Sequence, residues 1–266
     1  MELFIREDVD VSRVLFEENG HQVCLFSDLV KGDGIQTNQL FIVNNQRSAI
    51  LDPGGNLTYQ PLHMAISKQA SIKDLDFVIA THQDPDIISS MDKWLLYSEA
   101  KIVISKLWER FLPHLVPGYV SEDHPGRIVS IPDKGAIIKF GDCELLALPA
   151  HFLHSVGNFH FYDTTSKILF SGDMGASLTE EEPSRPVNDF ELHIEKMMGF
   201  HQRYMVSKKV CKLWANMIRQ LDVQMMVPQH GRPFEGPEMV EKFLCWIENL
   251  ECGVDRLTQK SYQVPG

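Results

Sequence analysis

Residues 77 to 86 read FVIATHQDPD: a short apolar, β-branched run followed by His82, Asp84 and Asp86 at every second position. The run is too brief for a helix, so it predicts a buried strand whose end carries polar side chains. Pro85 restricts Asp84 to an extended backbone. In an extended or tightly turned backbone, residues at i, i+2 and i+4 face one side, where three such groups share a ligand. Taken alone the cluster also fits an ordinary helix cap, because Asp86 precedes the helical run IISSMDKWLL.

Three more runs end the same way. LLALPAH (145–151) ends on His151, ILFSGD (168–173) on Asp173 and MMVPQH (225–230) on His230. A carboxylate at the end of an apolar strand is costly to bury unless a cation or several N–H donors meet it. Gly231, directly after His230, lets backbone approach closely. Four strand ends delivering His or Asp predict a metal site, since rigid elements hold ligands better than free loops do.

Outward from these runs the chain alternates strands and helices. QLFIVNN and SAILDPGG read as strands, a helix is predicted from Gln60 to Gln69, and another after Asp86. GAIIKFGDCELLALPAH reads as a hairpin turned at Gly141-Asp142, and NFHFYDTTSKILFSGD as one turned near Thr164-Thr165. Helices follow around Tyr204 to Leu221 and, opened by a proline, from Pro237 to Leu250. The polar, Pro-bearing stretch Leu178 to Asn188 is a candidate rim or lid. This order predicts an α/β (α+β) αββα sandwich, two mixed sheets between outer helices, in one domain over residues 1–266.

Composition narrows the function classes. With 44% hydrophobic residues among 266, the chain can bury a large core. The net charge of -11 makes nucleic acid an unexpected ligand. No apolar run is long enough to span a bilayer, and Glu2, Arg6, Glu7 and Asp8 interrupt the start of the chain, so no membrane role and a cytoplasmic location are expected. Five scattered cysteines without a CxxC pair predict reduced, mostly buried thiols.

With these residues in view, the chain resembles the metallo-β-lactamase superfamily over nearly its whole length. The superfamily pattern is His-x-His-x-Asp-His, then a His, an Asp on a strand end and a C-terminal His; the DPGG at Asp52 to Gly55 also matches its early strand-turn. Asp84, a carboxylate in place of the second His, makes it similar to the flavodiiron branch. Within that branch it is most similar to oxygen-binding di-iron proteins without a flavodoxin domain, and FHQRYM (Phe200 to Met205) looks like theirs.

The resemblance implies two irons per chain: His82, Asp84 and His151 on the first, Asp86 and His230 on the second, Asp173 bridging. The donor set, three histidines and three carboxylates, suits iron better than the alternatives zinc and manganese. One departure is Ile87, where the pattern has its last His, leaving an open position or one filled by His154. Tyr204 matches a tyrosine near the metals and is a candidate hydrogen-bond donor to bound oxygen. His201 reads as a helix-surface residue, and His63, His114, His124 and His193 read as surface residues.

The expected function is reversible binding or activation of O2, as an oxygen or iron sensor with a chemoreceptor or other signalling protein as partner and a homodimer as one possible assembly. Without GxGxxG or a flavodoxin-like region, no flavin is expected on this chain. The alternatives are a dinuclear hydrolase of phosphoesters or thioesters, and an O2 or NO reductase fed by an external donor.

Overall fold

A computed structural model describes residues 11–118, 126–178 and 183–266. His124, the first ten residues and part of the candidate lid lie outside these. The first sheet holds β1 (Ser12–Glu18), β2 (His21–Phe26), β3 (Gln39–Asn44), β4 (Arg47–Leu51), β5 (Phe77–Ile79), β6 (Lys101–Ser105) and β7 (Ile128–Ile131), in that order. It is antiparallel as far as β4 and parallel from β4 to β7. The second holds β8 (Ala136–Phe140), β9 (Cys143–Pro149), β10 (Phe159–Asp163), β11 (Ile168–Phe170), β12 (Met225–Val227) and β13 (Phe234–Glu235). Its order is β13-β12-β11-β10-β9-β8, and only β11 and β12 run parallel.

Helices α1 (Asn56–Ile66), α2 (Pro85–Ile88), α3 (Met91–Leu96), α4 (Lys106–Glu109) and α5 (Leu112–Leu115) follow strands of the first sheet. After β11 come α6 (Phe190–Tyr204) and α7 (Lys208–Ile218), and α8 (Pro237–Ile247) follows β13. Successive strand residues point to opposite faces. Thus Leu40 and Ile42 join Phe159, Phe161 and Phe170 between the sheets, while Phe41 turns outward onto Leu62, Met91 and Trp94. On the far side, Leu169 and Met226 meet Trp214, Phe243 and Leu244. Both sheets are therefore buried on two faces, which is why their strands read as continuous apolar runs. This is the αββα sandwich.

Both hairpins form: Phe140 pairs with Cys143 across Gly141-Asp142, and Asp163 pairs with Ile168. Three helical expectations change. α1 begins at Asn56, ahead of Pro61, and the helix after Asp86 breaks into α2 and α3 at Ser89-Ser90. The predicted Tyr204–Leu221 helix is α7 alone, because Tyr204 ends the separate helix α6. That helix buries Phe190, His193, Met197 and His201 at helical spacing, and two histidines among four buried positions hide its apolar stripe from a hydropathy reading. Among the described residues, no helix is long and apolar enough to cross a membrane.

Phe161 lies fully buried between the sheets. Phe161→Ala should cost about 3–5 kcal/mol, through lost transfer energy and the cavity left behind. Urea unfolding at fixed pH measures it.

Candidate metal centre

Three ligand-type residues stand in the same relation to their strands. His82, Asp173 and His230 each fall three residues beyond the last residue of β5, β11 and β12. β5 belongs to one sheet and the other two strands to its partner, so both sheets deliver side chains to one edge of the sandwich. Asp173 is the meeting point. Its Oδ2 lies 2.7 Å from His154 Nε2 and 3.5 Å from His82 Nε2, while its Oδ1 lies 3.5 Å from His230 Nε2.

Around that carboxylate the remaining groups divide in two. Asp84 Oδ2 is 3.7 Å from His82 Nε2 and 3.5 Å from His154 Nε2. Asp86 Oδ2 is 3.4 Å from His230 Nε2. His82, Asp84, His154 and Asp173 each offer an atom within 4.8 Å of the others, a span that one ion can bridge. Asp173 thus presents one oxygen to each group, as a bridging carboxylate does.

His151 is not brought to this cluster, and His154 stands where it was expected. β9 ends at Pro149, and the chain then folds into a tight loop in which Phe152 N–H donates to Ser155 O at 2.7 Å. His151 turns away, with Nε2 2.7 Å from Asp133 O and its ring edge-on to Phe159. His154, three residues on, points inward beside His82 with ring centroids 4.9 Å apart. It therefore belongs to the His82 group and does not fill a gap left at Ile87. Ile87 itself is fully buried behind the first sheet with Met91 and Trp94.

Buried hydrogen bonds aim the imidazoles. Asp52 accepts from Thr81 N–H at 2.8 Å and from Thr81 Oγ1 at 2.9 Å. With its proton committed to Asp52, the Thr81 hydroxyl accepts from His82 Nδ1 at 3.0 Å, which turns His82 Nε2 toward the cluster. On the other side His230 Nδ1 donates to Gln36 O at 2.8 Å, freeing Nε2 for Asp86 and Asp173. Asn38 clamps that loop, donating from Nδ2 to Pro228 O at 2.8 Å and to Gly231 O at 2.7 Å. Gly231 has φ +85°, and a Cβ there would lie 2.7 Å from Ser177 O, so the close approach read from the sequence is real.

Gly55 of the DPGG turn does similar service: a Cβ would stand 3.0 Å from Pro85 O, against the segment carrying Asp84 and Asp86. Asp84 has the extended backbone that Pro85 imposes, at φ -66° and ψ 148°. Ser155 donates to Gln83 Oε1 at 2.5 Å and so joins the His154 loop to the His82 segment. Tyr204 is 53% exposed; its ring lies edge-on to His154 at 5.4 Å and stacks on Phe200 at 4.7 Å.

Two histidines depart from the surface reading. His201 is fully buried, its Nδ1 donating to Met197 O at 2.9 Å and its Nε2 accepting from Gly175 N–H at 3.0 Å. It pins the turn two residues after Asp173. His193 is buried against Phe234, and burial pushes its pKa down to about 4.

Charge follows from this crowding. Burial acts to raise the Asp173 carboxyl, yet His82, His154 and His230 outweigh it and hold it well below the usual carboxylate range. Burial acts to lower His82, but Asp173 and Asp84 lift it to about 10; His230 likewise rises to about 9 beside Asp86 and Asp173. Burial pushes the Asp52 carboxyl up to about 7, against the lowering effect of His82 and the Thr81 bonds. Two buried atoms within the cluster, His82 Nε2 and Asp173 Oδ1, have no hydrogen-bond partner. Buried polar atoms left without a partner at this depth are what a cation would satisfy once it displaces the histidine protons.

A family model described as ODP family beta lactamase matches residues 35–231. The structure of the peroxy diiron species of chemotaxis sensor ODP aligns with a TM-score of 0.81 at 39% identity, covering 92% of this chain and 97% of that one. The flavodiiron protein from Giardia intestinalis shares the fold at a TM-score of 0.68 and 16% identity, over 85% of this chain and 57% of its own. The uncharacterized protein MJ0732 of Methanocaldococcus jannaschii is 26% identical over 218 residues, 79% of this chain. The chain spans about half of that relative's length, 52%.

Two expectations follow. His154→Ala should lower metal content far more than His151→Ala, read by elemental analysis of the two purified variants; equal retention counts against the placement of His154. The second concerns pH. His82 and His230 have folded values of about 10 and 9, above the ordinary 6.5, so their protonated forms stabilise the metal-free protein fully below about pH 6.5. That contribution is lost as pH rises through 9 to 10. Metal replaces those protons, so urea midpoints of the metal-free protein should fall across this window more steeply than those of the loaded protein.

Proposed function

The chain belongs to the ODP family beta lactamases, and from that membership we propose that it is a di-iron protein that binds O2 at the Asp173 centre and acts as an oxygen sensor. The observation that carries this reading is Asp173 itself: a buried carboxylate turning one oxygen to His82 and His154 and the other to His230. His82, Asp84, His154 and Asp173 would hold one iron. Asp86, His230 and the second oxygen of Asp173 would hold the other. Three imidazoles and three carboxylates make an oxygen-rich set, harder than the His-rich sites of zinc hydrolases. The similarity at 39% identity to a chemotaxis sensor described with a diiron species supports the same metal.

A ferrous pair held by these residues would supply the two electrons that O2 takes up. The chain's own residues set the conditions. Thr81 and Gln36 keep the Nε2 atoms of His82 and His230 available, and Phe200 and Tyr204 pack edge-on against His154. Tyr204, at the end of α6 with its ring edge-on to His154, would donate a hydrogen bond to bound oxygen. A chemoreceptor or other signalling protein would read the state of the centre.

Anaerobically purified protein should contain two irons per chain and develop a persistent visible absorption band on mixing with oxygenated buffer. Tyr204→Phe should speed decay of that band by roughly one to two powers of ten, the kinetic equivalent of a hydrogen bond worth about 1–3 kcal/mol to a charged acceptor. A colourless zinc-loaded protein that cleaves a chromogenic phosphodiester efficiently would overturn the reading in favour of a hydrolase.

A further inference from the structure

Cys211 and Cys252 meet in the core on the helix side of the second sheet. Both are fully buried, with Sγ atoms 3.9 Å apart. Cys211 lies in the first turn of α7, and Cys252 immediately precedes a short 3₁₀ turn, Gly253–Arg256. One carboxylate binds the two segments together. Asp255 Oδ2 accepts from Lys208 N–H at 2.6 Å, at the start of α7, and from Cys252 N–H at 3.2 Å. The sulfurs are in van der Waals contact, and shifting the two side chains by about 2 Å in total would bring them to bonding distance.

The two thiols are not equivalent. Cys252 Sγ accepts the backbone N–H of Asp255 and faces the Cys211 thiol as well. Both interactions favour sulfur carrying charge at Cys252, and its pKa is lowered, first by the bond from Cys211. Cys211 is pushed far up, first by its bond to Cys252 and then by burial, so it keeps its proton. The other three sulfurs lean on oxygens: Cys24 on Gln22, Cys143 on Asp163 and Cys245 on Glu241.

A cleft lies one residue from Cys252. It measures about 540 Å³ and is lined by Phe152, His154, Tyr204, Met205, Gly253 and Val254, and Gly253 is the neighbour of Cys252. Val254 N–H donates to Val206 O at 2.8 Å, and Val206 N–H to Phe152 O at 3.3 Å, which ties the Cys252 segment to the loop of His154. Burial excludes bulky reagents, whereas hydrogen peroxide is little larger than water.

We propose that Cys211 and Cys252 form a peroxide-oxidisable dithiol, closing to an intrachain disulfide while hydrogen peroxide is reduced to water. The Cys252 thiolate attacks one peroxide oxygen, the O–O bond breaks, and the departing hydroxide takes a proton to become water, leaving a sulfenic acid on Cys252. Cys211 sulfur then attacks Cys252 sulfur, the S–O bond breaks, and the leaving hydroxide takes the Cys211 proton as a second water. Two thiols and one peroxide become one disulfide and two waters, with the sulfur pair giving two electrons.

The test uses metal-free Cys245→Ser protein, so that the outcome is independent of any iron chemistry and of the exposed thiol. After exposure to hydrogen peroxide, the protein is unfolded, alkylated, digested and weighed. A Cys211–Cys252 cross-linked peptide, lighter by two hydrogens and reopened by dithiothreitol, is the expected product. Adding Cys211→Ser should abolish the cross-link and leave an added oxygen on Cys252, since the resolving sulfur is gone. Full alkylation of both cysteines after peroxide has oxidised methionines in the same sample, oxidation to sulfinic acid without a cross-link, or pairing with Cys24 or Cys143 overturns the proposal.

Discussion

A carboxylate buried where two sheets meet sets the terms for this end of the molecule. Asp173 would lose several kcal/mol by leaving water unless compensated by positive charge, and the compensation comes from three imidazoles on three separate segments. For all three to reach it, the ends of β5, β9, β11 and β12 must converge, and the phenylalanine-rich layer between the sheets fixes their spacing. The same crowding that stabilises the metal-free cluster as an ion-paired network makes it ready for cations. Where protons now sit on His82 and His230, metal charge can sit instead without rearranging the carboxylates.

The two sheets solve the aiming problem by different means. On the first, a side-chain relay from Asp52 through the Thr81 hydroxyl turns His82; on the second, a backbone carbonyl, that of Gln36, turns His230. Gln36 and Asn38 precede β3, nearly two hundred residues from His230 in sequence, so the orientation of one histidine depends on a contact between the first sheet's approach and the second sheet's last loop. Sequence periodicity carries no trace of such a bond. What it does carry is the strand end, and the structure brings His82, Asp84, Asp86, Asp173 and His230 together around one point.

His151 shows where pattern reading stops. The rule that a ligand follows directly on an apolar run holds for β5, β11 and β12, each followed by a three-residue step. It misleads for β9, because the loop after Pro149 is fixed by contacts such as Phe152 to Ser155 and Ala150 to Asn158 that hydropathy does not encode. His201 and His193 were misplaced for a related reason. On α6 they occupy buried positions that the eye expects apolar residues to fill, and His201 is there because its ring accepts a hydrogen bond from the turn holding Asp173. The Ile87 position, by contrast, speaks plainly once packed: an isoleucine among Met91 and Trp94 belongs to the helical layer, and its side chain has left the centre altogether.

His154 is held by its own loop rather than by a distant element: Asn158 Nδ2 donates to Leu153 O, Phe152 N–H donates to Ser155 O, and its Nε2 makes the shortest of the three imidazole contacts with Asp173, at 2.7 Å. Edge-on aromatic contacts with Tyr204 and Phe200 and the Ser155–Gln83 bond steady its loop, and aromatic pairs of this kind contribute only about 0.5–1.5 kcal/mol beyond the area they bury. The surface beside the loop is apolar, since Phe152, Val156 and Tyr204 are all exposed there. His82 and His230 are instead turned by hydrogen bonds that lead to distant elements, through Thr81 to Asp52 and directly to the Gln36 carbonyl. Val206 N–H bonds Phe152 O and Val254 N–H bonds Val206 O, so the His154 loop, the end of α6 and the turn after Cys252 form one connected piece of backbone.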